Sequence, residues 1–102
     1  DLLASKMTAL IQRGAPRDFR DIHAACHAKL TTPLQCWQLW QQRQQLTNDD
    51  TDVARAKLAI AGHLERIAQY RPLTQIGNPT ERIQAESVRN WYKEEFLNAI
   101  LA

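Results

Sequence analysis

Apolar side chains in this chain recur at helical spacing from end to end. Leu3, Met7, Leu10 and Ile11 stand at i, i+4, i+7 and i+8, one face of a helix that the spacing ends near Gly14 and Pro16. A second helix is expected from Pro16 or Arg17 to about Lys29, burying Phe19, Ile22 and Cys26, because proline is tolerated in a first turn that has no use for its missing N–H. Thr32 followed by Pro33 reads as an N-cap and first helical residue, opening a third helix to about Leu46 with Trp37 and Trp40 on its apolar side. The polar, acidic stretch 47–52 is a loop that caps the fourth helix, where negative charge meets the positive end of the dipole. Val53, Ala56, Ile60, Leu64 and Ile67 then hold one stripe over four turns, which marks this helix as the central packing element. It stops before Pro72, and 73–77 is a connector. Asn78 and Pro79 repeat the cap-then-proline signal ahead of a fifth helix, expected through about Leu101, with Ala85, Val88, Tyr92, Phe96 and Ala99 in phase.

The sum is an all-α bundle of about five helices in a single domain spanning residues 1–102. Composition agrees: 14 Ala, 12 Leu and 10 Gln outweigh nine Val plus Ile, which favours helix over sheet. At 44% hydrophobic and 24% charged, the chain is neither disordered nor membrane-spanning in character, and a cytoplasmic location is the expectation. Its first residue is Asp1, inside the first helical pattern, which reads as a piece of something longer. Cys26 and Cys36 read as free thiols, since a helical core of this size needs no disulfide.

The net charge of +2 falls wholly within residues 1–30, where Lys6, Arg13, Arg17, Arg20 and Lys29 face Asp1, Asp18 and Asp21; the remainder balances eight basic against eight acidic residues. Lys6 and Arg13, seven apart, share an edge of the first helix. Asp18 and Asp21, three apart, are neighbours on the second, and Arg17 stands four before Asp21. A tight corner between the two helices brings those cations beside those carboxylates at the border of the core. Such a cluster can hold phosphate oxygens through its cations while a carboxylate takes a proton from an attacking hydroxyl. The same spacing equally suits a corner closed by Arg–Asp pairs.

The run Lys6, Ala9, Leu10, Arg13, Arg17, Asp18, Asp21, Ile22 resembles a block of the AbiEii-type nucleotidyltransferases, the toxin component of bacterial abortive-infection toxin–antitoxin systems. In that block a Lys-x-x-Ala-x-x-x-Arg helix is followed by Arg-Asp-x-x-Asp. Residues 36–46 and 89–96 resemble later helices of the family more loosely. The resemblance implies that Lys6 contacts a nucleoside triphosphate, that Asp18 is the catalytic carboxylate near the acceptor, and that Arg13, Arg17 and Asp21 support them. It also implies an NTP and Mg²⁺, an antitoxin protein, and an RNA or protein acceptor. Family members begin with a sheet-containing domain whose Gly-Ser and Asp-x-Asp bind metal and nucleotide. No Gly-Ser pair occurs here, so the resemblance is to the helical C-terminal half, with the metal ligands on the N-terminal nucleotidyltransferase domain and no catalysis by this chain alone. The alternative is a non-enzymatic helical module that binds a protein or nucleic acid through the basic N-terminal corner.

The remaining candidates are weaker. His23 and His27, four apart with Cys26 adjacent, have the spacing of a zinc pair, but no HExxH glutamate stands between them and His63 is the only other histidine, so exposed, solvated histidines are expected. Trp37, Trp40 and Trp91 fall in phase with apolar positions and are expected in the core.

Overall fold

The computed structural model describes residues 2–100. Among them the order is α1 (Leu2–Gln12), α2 (Pro16–His27), α3 (Pro33–Leu46), α4 (Val53–Tyr70), a 3₁₀ turn (Leu73–Gln75), α5 (Pro79–Trp91) and a π turn (Tyr92–Phe96), with no strand. The architecture is the expected all-α bundle. No helix of the described residues is long and apolar enough to cross a membrane.

Three of the helices start on the caps their sequences carry. Thr32 accepts from the Gln35 N–H, Asp52 from that of Arg55, and Asn78 from that of Glu81, each at 3.1 Å. Pro16, Pro33 and Pro79 occupy first turns. The stops are equally local. After α2, Lys29 turns left-handed (φ 61°), the Leu30 N–H reaches back to Ala25 and that of Lys29 to Cys26, a Schellman closure that ends the helix at His27, two residues before the expected Lys29. Asn48 closes α3 the same way.

The core draws Met7 and Leu10 from α1, Phe19 and Ile22 from α2, Cys36, Trp37 and Trp40 from α3, Ala56, Ile60 and Leu64 from α4, and Tyr92 and Phe96 from the π turn. The rings meet mainly edge to face: Phe19 with Tyr92 at 4.9 Å between centroids, Trp37 with Trp40 at 5.9 Å, and Tyr92 with Phe96 at 5.0 Å. Their polar tips are matched. Trp37 Nε1 donates to the Phe96 carbonyl at 3.1 Å and the Tyr92 hydroxyl donates to the Phe19 carbonyl at 2.6 Å. Burial raises the Tyr92 phenol well above its usual range, with Cys26 and Cys36 adding to the effect.

Four sequence expectations need correction. The fifth helix is α-helical only to Trp91; the next turn is π, and residues 97–100 leave helical geometry, while Leu101 lies outside the described residues. A π turn adds one residue to the helical repeat, which keeps Tyr92 and Phe96 both in the core while redirecting the chain after them. Cys26 is half-buried rather than buried. Trp91 sits at the core's edge, half-buried. His23 is half-buried too, its ring against Trp91 at 4.9 Å and stacked on His27 at 5.2 Å, so only His27 is exposed. Desolvation, with His27 second, lowers the His23 pKa. Both cysteines are free thiols, as expected; their mutual hydrogen bond and burial push Cys26 upward.

A charged corner between the first two helices

The turn between α1 and α2 is made by Gly14, at φ +59°. Its N–H reaches back to the Ala9 carbonyl at 3.1 Å, and the chain reverses within three residues to Pro16. That reversal packs α1 against α2 and brings all five candidate residues to one corner, as their spacing requires. Gly14 is buried against His63 of α4, whose Nε2 donates to the Ile11 carbonyl at 2.8 Å while Nδ1 accepts from the Arg66 guanidinium. The corner is thereby clamped from a third helix.

Asp18 is the best-held residue of the group. It is 6% exposed, and both oxygens are occupied: Oδ1 accepts from Arg13 Nη2 at 2.9 Å, and Oδ2 from Arg13 Nε at 3.1 Å and from the Ala15 N–H at 3.0 Å. The fork from Arg13 fixes the guanidinium in one orientation, and the Ala15 contact satisfies an orphan N–H at the start of α2. The Arg13 hydrogen bond is the main cause holding the Asp18 carboxyl below its usual range; burial opposes it, and the Ala15 N–H and the charges of Arg13 and Arg17 assist. A carboxylate so engaged and so acidic is a poor proton acceptor. It holds Arg13 in position and closes the start of α2.

Lys6 and Asp21 form the second pair, Nζ to Oδ2 at 2.9 Å, with side chains 37% and 42% exposed. Water reaches both, so the pair is worth little to stability and can exchange partners cheaply. Arg17 is exposed and adds its charge near Asp18, with no ion pair among the described residues. The open part of the corner is thus Lys6, Asp21 and Arg17; the closed part is Arg13 with Asp18.

Among the described residues no group of three or more His, Cys, Asp or Glu side chains is placed to share a metal ion. These residues do not fit the Mg²⁺ that the resemblance implies. The cations suit phosphate oxygens instead. His63 had no signal in the sequence beyond being a histidine, because its partners Ile11 and Gly14 lie about fifty positions away.

Compared with family models, with curated proteins and with solved structures, the chain finds no match.

Proposed function

We propose that this chain is the helical part of a nucleotidyltransferase of the AbiEii type, forming one wall of a site that moves a nucleotide from an NTP to an acceptor. The observation that supports the reading is the α1–α2 corner, where Lys6 and Arg13 meet Asp18 and Asp21 with one half locked and one half open. In this reading Lys6 leaves Asp21 for a phosphate oxygen, Arg13 stays oriented by Asp18, and Arg17 adds positive charge at the rim. Asp21, released from Lys6 and exposed to water, is the carboxylate able to accept a proton from an acceptor hydroxyl. Asp18 acts through Arg13 as a positioning residue. Metal and nucleotide base belong to the nucleotidyltransferase domain that the resemblance implies.

Of the alternative, a non-enzymatic module that binds a protein or nucleic acid through this corner, the nucleic-acid form has weak support from the charge. Three cations face two carboxylates there, and two of the cations are already paired.

The test is nucleotide incorporation from labelled NTPs into cellular RNA and protein by this chain joined to its nucleotidyltransferase domain. Lys6→Ala is expected to lower incorporation by about 100-fold, the scale of losing a charged transition-state contact, with an unchanged thermal midpoint. Arg13→Lys, which keeps charge but loses the fork, is expected to fall between. Full activity in Lys6→Ala would remove the corner from the reaction.

A further inference from the structure

On the side of α2 away from Asp18 and Asp21, the row Pro16, Arg20, His23 and His27 faces a groove of about 1090 Å³ between α2, α4, the 3₁₀ turn and α5. Its floor is apolar, with Phe19, Leu64, Ile67 and Val88. On its lips stand two large apolar side chains exposed to water, Tyr70 at 81% and Ile83 at 70%. The helix that forms one wall, α5, is amphipathic and yet has no buried residue, so its apolar face is only half covered by the bundle.

Charge on the rim is one-sided. Arg20, Arg71 and Arg89 line the groove, and none of them forms an ion pair among the described residues; Glu81 is the only carboxylate among the lining residues. Arg89 is half-buried and donates to the Arg71 carbonyl at 2.7 Å, a neutral partner for a desolvated cation. A surface with an apolar floor and guanidiniums without ion pairs at its edges is complementary to an apolar stripe flanked by carboxylates.

The walls also select the form of the occupant. The described residues contain no strand, so there is no free sheet edge to which an extended peptide can add. Trp91 has its ring against His23, Tyr92 and Phe96, and Tyr70 alone offers an exposed large aromatic ring on the lips, where stacking of successive bases uses several. A helix laid between α2 and α5 matches both the length and the chemistry: α5 has 13 residues, about 20 Å.

We infer that this groove is a docking site for an acidic amphipathic helix of a partner protein, its apolar face on Phe19, Leu64, Ile67 and Val88 and its carboxylates on Arg20, Arg71 and Arg89. The inference is independent of the nucleotide-transfer reading, which rests on the opposite side of α2.

The probe is a fluorescein-labelled synthetic helix of about 16 residues, with Leu at every third or fourth position and Glu on both flanks, titrated with the full chain by anisotropy. Saturable binding in the micromolar range is expected, weakened about tenfold or more by Arg20→Glu with Arg71→Glu, and by Ile83→Ser. These three side chains are exposed, and circular dichroism checks that the variants stay folded. Lys93→Glu, a charge reversal outside the groove, is expected to bind as the parent does. Absence of saturable binding, or equal binding of a peptide flanked by Lys, overturns the inference. So does preference for a labelled single-stranded oligonucleotide over the peptide, or a dimer of this chain that Ile83→Ser dissociates.

Discussion

Gly14→Ala is the sharpest test of how the corner is built. In a permissive conformation, replacing glycine by alanine stabilises a protein by about 0.4–1 kcal/mol through the unfolded chain. Here two costs oppose that gain. At φ +59° an alanine pays about 1–2 kcal/mol for left-handed backbone. Its Cβ would also overlap Cβ, Cγ and Cδ2 of His63, and overpacking of this kind costs about 1–3 kcal/mol. The ring has little freedom to withdraw, because it is tied to the Ile11 carbonyl and to Arg66. The net expectation is a loss of about 2–4 kcal/mol. Urea unfolding followed by circular dichroism measures it. His63→Ala made on top of Gly14→Ala removes the overlap with Cγ and Cδ2 and leaves that with Cβ and the backbone strain, so a double-mutant cycle reads the part due to the ring, a coupling of about 1–3 kcal/mol. A loss below about 0.5 kcal/mol, or a cycle that closes at zero, would refute the clamp between α1–α2 and α4.

Two further outcomes follow from the buried polar groups. Asp18 has its pKa lowered in the folded state, so its contribution is present above the unfolded value near 3.9 and fades as pH falls through the folded value. Asp18→Asn is therefore expected to be less stable than the parent at neutral pH, with the gap closing below about pH 4 in a series of unfolding curves; a gap independent of pH would show that its charge does not matter. Tyr92→Phe removes the donor to the Phe19 carbonyl and leaves the ring contacts, so a loss of about 1 kcal/mol in urea unfolding is expected. A neutral result would mean that the hydroxyl is not engaged.

The helices and their starts could be read from the chain because their causes are local. Thr32-Pro33 and Asn78-Pro79 act within one turn, and the α4 stripe needs only its own periodicity. The end of α5 could not be read in that way: Tyr92 and Phe96 are four apart, which suits an α turn as well as a π turn, and what distinguishes them is packing against Phe19 and Trp37. At the corner, helical spacing was enough to bring cations and carboxylates together. It was not enough to tell which would pair with which, since Lys6 can reach Asp21 and Arg13 can reach Asp18 only after Gly14 has set the angle between the helices. The groove depends on α5 standing partly away from the bundle. Nothing in its sequence of apolar positions distinguishes that from full burial, and Ile83 is exposed although it reads as an ordinary apolar residue.

The two hydrogen bonds that tie Trp37 to Phe96 and Phe19 to Tyr92 span 59 and 73 positions. A ribosome adding about 5–20 residues per second needs roughly 3–12 s to travel from Trp37 to Phe96. Within that interval α3 is finished and α4 is made, so that α1 to α4 all exist as chain once Tyr70 is added, but the largest rings of the core have no lid. The nascent protein therefore carries Trp37, Trp40 and Phe19 in view of chaperones and of its neighbours on the same message until almost its last described turn has emerged, and premature termination before Tyr92 leaves a product that is helical in content yet unable to close its core.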